Sequence, residues 1–209
     1  MVAPIVIADD HPLFRAALVG AVGKAAPERE VIERETLEGA FAALEAGPVG
    51  LLTLDLHMPD SDGLAGLLQV RSLYPAVPVL VVSGDTAPGL PGRAAALGAS
   101  GFVPKSSDLP TIREAVEAVL DGETWLPEEA EPSEEDAALA SLTPTQLKVL
   151  VHVRDGLLNK QIAYELDISE ATVKAHMTAV MQKLGVQTRT QAAMMARRLD
   201  VKPSERSED

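Results

Sequence analysis

The chain has 209 residues, a formal net charge of −13 at pH 7 and no cysteine. The missing thiols exclude disulfides, thiolate metal centres and cysteine nucleophiles, and no apolar run approaches the roughly 20 residues that span a bilayer. Aromatic residues make up only 3% of the chain, so its cores must come mostly from Ala, Leu and Val.

The opening "MVAPIVIADD" enters a strand-like run directly, with no basic region and no cleavage site. A secretory leader is therefore not expected, and the expected location is the cytoplasm, away from any membrane. Unbroken apolar runs follow at 4–8, 49–54, 77–83 and 101–104, with a weaker strand candidate at 29–35. Runs of this kind suit strands buried on both faces of a parallel sheet. Helical patterns alternate with them at 13–26, 37–46, 64–73, about 91–97 and 109–120. Five such alternations predict a doubly wound, flavodoxin-like α/β domain with a five-stranded parallel sheet over residues 1–121.

Residues 122–141 carry seven acids, no bases and two prolines, and read as an extended, solvated linker. From 142 to 200 the pattern is purely helical, with 8 bases against 5 acids. Thr143-Pro144 reads as an N-cap with proline in the first turn. Four helices are expected, running to about 155, over 159–166, over 170–184 and over about 190–199, with 201–209 as a disordered tail. The mean negative charge thus conceals a mildly basic all-α segment.

In a parallel sheet the strand ends converge, and active groups gather at the carboxyl edge. Here that edge would bring together Asp9, Asp10, Asp55, Ser83 and Lys105. Three neighbouring carboxylates repel unless a cation lies among them. Oxygen-only donors point to a hard ion such as Mg²⁺. A hydroxyl and an ammonium opposite them suit phosphoryl oxygens, which makes Asp55 a candidate nucleophile that becomes an acyl phosphate.

The strings "IADDHPLFR", "LDLHMPDSDG", "VVSGD" and "GASGFVPK" resemble, in order and spacing, the receiver domain of bacterial two-component response regulators. The resemblance implies Asp55 as phosphoacceptor, with Asp9, Asp10 and the main-chain carbonyl of His57 helping to hold Mg²⁺. It also implies phosphoryl contacts from Ser83 and Lys105, and Phe102 as the aromatic switch. One departure is "SGDTAPGLPGR", whose prolines and glycines fall where relatives have a regular fourth helix.

In the basic segment, two apolar stripes (Ile162, Ala163, Leu166 and Val173, Met177, Val180, Leu184) flank a short turn, as in a helix-turn-helix. The stretch "LNKQIAYELDISEATVKAHMTAVMQKLGV" resembles the LuxR-type DNA-binding domain, and the whole chain resembles the NarL/FixJ subfamily. By that resemblance Lys174, Ala175 and Thr178 lie at the major groove, and Lys160, Thr172 and His176 lie on the phosphate side. Gln146 stands where a glutamate is usual. The implied partners are a sensor histidine kinase, double-stranded promoter DNA, RNA polymerase, and a second copy of the chain when phosphorylated or DNA-bound. The expected function is a transcription regulator switched at Asp55, not an enzyme. Two alternatives stay open: a receiver that serves only as a phosphorylation-independent dimerisation module, and an aspartate-nucleophile phosphohydrolase. The latter wants a second carboxylate where His57 stands.

Overall fold

The computed structural model describes residues 2–61, 63–85, 87–127 and 133–200. Its first half alternates β1 (Ile5–Ala8), α1 (Pro12–Ala25), β2 (Val31–Arg34), α2 (Leu37–Ala46), β3 (Leu51–Leu54) and α3 (Leu64–Leu73). It continues through β4 (Val79–Ser83), α4 (Leu90–Ala96), β5 (Gly101–Pro104) and α5 (Leu109–Leu120). The sheet is wholly parallel in the order β2-β1-β3-β4-β5.

Strand periodicity sorts the core into two layers. Ile5 and Ile7 face α1 and α5, packing with Leu18, Val22, Ile112 and Val116. Val6 and Ala8 face the other way and join Leu52, Leu54, Val79 and Val81 under α2, α3 and α4. Strands β1, β3 and β4 are buried throughout, whereas edge strand β2 is half-exposed, which is why its sequence lacks an apolar run.

The fourth helix is short, and its prolines and glycines gather at its start. Gly89 takes a left-handed φ of 77° just before Leu90, and Pro91 sits in the first turn, where its missing N–H removes no internal bond. The helix survives as two turns.

The linker reading needs correction. Trp125 pairs with the outer edge of β5: its N–H donates to the Ser100 carbonyl (3.0 Å), and its carbonyl accepts from Phe102 N–H (2.8 Å). Gly101 makes room for this strap, since a Cβ there would meet Leu80 Cδ1 at 2.7 Å and Trp125 Cβ at 3.2 Å. Further on, Glu134–Ala140 forms helix α6. Ser133 caps it by accepting from Asp136 N–H, acids fill its first turn, and Leu139 is fully buried. Residues 128–132 of the expected linker, and the 201–209 tail, lie outside the described residues.

The helical half comprises α7 (Pro144–Arg154), α8 (Asn159–Glu165), α9 (Glu170–Lys183), α10 (Arg189–Ala196) and a 3₁₀ turn at Arg197–Leu199. Gln146 completes a capping box on α7: its Oε1 accepts from Thr143 N–H, and its own N–H donates to Thr143 Oγ1. The amide thus does locally what the glutamate usual at that position could do. Asp167 makes the α8–α9 turn at a φ of 51°, a left-handed conformation that aspartate tolerates.

The two halves touch. Helix α3 meets α7, α4 meets α6, and the apolar cluster beneath α2–α4 continues into Leu142, Leu147 and Leu150. A polar chain runs along the same junction. Arg93 of α4 donates to the Arg198 carbonyl at 2.8 Å. The Arg198 guanidinium in turn reaches Asp136 at 3.0 and 3.1 Å and Ser133 Oγ at 2.9 Å. Among the described residues no helix is long and apolar enough to cross a membrane.

Candidate functional site

Asp9 follows β1, Asp55 follows β3, Ser83 ends β4 and Lys105 follows β5, so the parallel sheet delivers all four to one edge. Asp9 and Asp55 are each 1% exposed. The Lys105 ammonium lies 2.7 Å from Asp9 Oδ2 and 2.7 Å from Asp55 Oδ2, holding the two carboxylates together. Backbone donors fix the remaining oxygens: His11 N–H to Asp9 Oδ1 (2.8 Å) and His57 N–H to Asp55 Oδ1 (3.1 Å). Burial raises the Asp9 carboxyl above the usual carboxylate range, and the Asp55 charge adds to that rise. The Lys105 and His11 hydrogen bonds pull the other way without cancelling it.

Asp10 sits at the rim, and its Oδ1 lies 2.7 Å from His11 Nδ1. Asp9, Asp10, His11 and Asp55 each offer a ligand atom, and these atoms lie within 4.8 Å of one another, so the cluster could hold a metal ion. The expected acids are thus brought together with Lys105. Ser83 closes the neighbouring strand, and its Oγ accepts from Asp85 N–H at 3.1 Å. Phe102 is 3% exposed in the core layer under α4, and its N–H is bonded to Trp125.

Three residues around this edge escaped the sequence reading. Arg15, 9% exposed on α1, donates to the Asp9 carbonyl (2.7 Å) and spans to Glu35 (2.7 Å) and Glu33 (3.1 Å) beside β2. Asp60, in the loop after Asp55, accepts from the Leu37 and Glu38 N–H groups in the first turn of α2, beside the capping Thr36. His11 is the third. His11 stands next to the paired acids in the sequence, whereas the contacts of Arg15 with Glu33 and Glu35 and of Asp60 with α2 join residues 18 or more apart.

On the helical half, Lys174, Ala175 and Thr178 are exposed on α9, as is Lys160 on α8, while Thr172 and His176 are half-buried. The two threonines are engaged locally. Thr178 Oγ1 donates to the Lys174 carbonyl (3.0 Å), and Thr172 Oγ1 lies 2.8 Å from the capping Ser169 hydroxyl.

Two families match the chain in tandem. Residues 5–117 match the response regulator receiver domain, and residues 140–196 match the bacterial regulatory proteins of the luxR family. The chain is a response regulator. It is 37% identical to a glycerol metabolism activator of Pseudomonas putida, over 94% of this chain and 96% of that protein. It is 31% identical to the DNA-binding transcriptional activator DevR/DosR of Mycobacterium tuberculosis, over 93% of this chain and 94% of that one. The fold is shared with the Salmonella typhimurium RcsB response regulator at a TM-score of 0.56 and 23% identity, covering 92% of this chain and 98% of that one. This response regulator therefore joins a receiver to a LuxR-type DNA-binding module, the arrangement of a transcription regulator in a two-component system.

Proposed function

We propose that Asp55 is the phosphoacceptor and that its phosphorylation governs promoter binding by the helical half. The observation that carries this reading is the Lys105 ammonium, 2.7 Å from both Asp55 and Asp9 at the carboxyl edge of the sheet. An Asp55 carboxylate oxygen attacks phosphorus on the phosphohistidine of a sensor kinase. The P–O bond forms as the P–N bond breaks, and the ring, protonated at its other nitrogen in the phosphohistidine, leaves as neutral imidazole. Lys105 exchanges its carboxylate contact for a phosphoryl oxygen, and the Ser83 hydroxyl donates to another. Asp9, Asp10, Asp55 and the His57 carbonyl are the groups that would hold Mg²⁺, which when bound neutralises charge on the transferring group. The crowded, buried carboxylates and their shared ammonium fit a cation there.

Phe102 then moves with Ser83, and the change reaches the helical half through α4 and the Trp125 strap. Lys174, Ala175 and Thr178 face the major groove, and Lys160, Thr172 and His176 face the backbone. A dimer binds two half-sites and meets RNA polymerase in the cytoplasm. The receiver covers 1–121, the connecting segment 122–141, the DNA-binding module 142–200 and the tail 201–209. The protein is not an enzyme, and its own release of phosphate from Asp55 is slow.

The test is the solution mass of the purified chain with Mg²⁺ and beryllofluoride, a mimic of the aspartyl phosphate, beside Asp55→Ala. A shift from monomer to dimer in the native chain alone supports the reading. Beryllofluoride binding without any shift would leave the receiver uncoupled from assembly and sink it.

A further inference from the structure

His11 occupies the N-cap position of α1, where serine, threonine, aspartate or asparagine would normally accept a backbone hydrogen bond. Its side chain makes no such bond. The imidazole instead hangs over the acid pocket, with Nδ1 2.7 Å from Asp10 Oδ1, 3.4 Å from Asp9 Oδ1 and 3.7 Å from Asp55 Oδ2. The Lys105 ammonium lies 3.3 Å from the same nitrogen. A single cationic group therefore already sits among the donor atoms of all of these residues except Asp10. The His11 backbone N–H is tied to Asp9 Oδ1 at 2.8 Å, and Pro12 fixes the chain that follows, so the residue starts from a position beside the acids. Arg15, bonded to the Asp9 carbonyl, holds the same stretch from behind.

Donor chemistry gives this placement a consequence. Carboxylate and carbonyl oxygens alone make a hard site suited to Mg²⁺, whereas imidazole raises affinity for first-row transition ions. We propose that His11 Nδ1 is a nitrogen ligand of the divalent cation in the acid pocket. The site then favours Mn²⁺ and related transition ions over Mg²⁺ by more than the oxygen donors would. The proposal rests on the reading of this pocket as the cation site for phosphoryl transfer, and it assigns that site a class of metal.

The experiment uses the full chain, native and as His11→Ala, His57→Ala and Asp10→Asn. Bound Mn²⁺ is examined by electron spin echo envelope modulation, and Mn²⁺ and Mg²⁺ affinities are measured by calorimetry. The side chain of His11 is 61% exposed and makes no cap bond, so its removal leaves the fold in place, as circular dichroism will check. The expected result is a ¹⁴N coupling in the native protein that vanishes in His11→Ala and persists in His57→Ala. Mn²⁺ affinity should fall about tenfold in His11→Ala with little change for Mg²⁺.

A native Mn²⁺ complex without nitrogen coupling would overturn the proposal and leave the cation site standing. So would a coupling lost in His57→Ala instead, or an equal loss of both metals in His11→Ala. Failure of the native chain to bind either ion, with Asp10→Asn indistinguishable from it, would defeat the cation reading itself and His11 with it.

Discussion

Asp9 and Asp136 are both almost completely buried, and each faces a cationic side chain, yet their carboxyls shift in opposite directions. At Asp136 burial pushes the carboxyl up, but the Arg198 and Ser133 hydrogen bonds together outweigh it and hold the group below the usual range. At Asp9 burial wins: the one ammonium is shared with Asp55, whose charge adds to the rise. The difference separates two uses of a buried charge. The pair at the domain junction is fully satisfied and fastens α6 to the end of the helical half. The pocket at the sheet edge keeps carboxylates crowded around one shared ammonium, and its cluster could hold a metal ion.

That contrast can be broken most directly at the junction. Asp136→Asn should cost about 2 kcal/mol in urea unfolding, the part-exposed Arg198 tempering the larger loss typical of a fully buried pair. A loss below about 0.5 kcal/mol would mean the pair is a solvated bystander. The opposite sign is expected at the site. Asp9→Asn, in chelator, should stabilise the chain by about 1 kcal/mol by removing a like charge, and the variant should lose any stabilisation by added Mg²⁺.

Acidification sharpens the comparison. Because the folded Asp136 carboxyl is depressed, its stabilising contribution is complete above the ordinary carboxylate range and is lost as pH falls through the folded value. The stability difference between the native chain and Asp136→Asn should therefore be constant near neutrality and narrow steadily in acid. A difference that stays constant down to strong acid would contradict the ion pair. The smallest effects belong to the exposed α9 face. Lys174→Ala should lower the log–log salt slope of DNA binding by about 1, whereas Thr178→Ala, whose hydroxyl is spent on its own helix, should change affinity by less than about 0.5 kcal/mol.

What could be read in advance follows from where the determinants lie. The central strands announced themselves because both of their faces are buried, and parallel topology then forces Asp9, Asp55, Ser83 and Lys105 together at one edge. Edge strand β2 was faint for the complementary reason, having water on one side. Helix α6 was hidden inside an acid-rich stretch because part of what stabilises it, Arg198, lies 62 residues away. Composition alone made that segment a spacer. The receiver's supporting contacts were equally invisible: Arg15 to Glu35 and Asp60 to Leu37 join segments whose proximity only the folded sheet creates. On α9 the local bonds of Thr172 and Thr178 depend on cap and helix geometry, which the residue pattern does not carry.

Trp125 is the only tryptophan in the chain, and its backbone is bonded on both sides of Gly101 to the strand that carries Phe102. Its half-buried indole is thus an intrinsic fluorophore placed beside β5, at the point where the chain departs for the helical half. Excitation at the tryptophan band reads that strand with no competing indole and no attached dye. Titrating beryllofluoride into the native chain should change the emission in step with occupancy of Asp55, and the Asp55→Ala signal should stay flat.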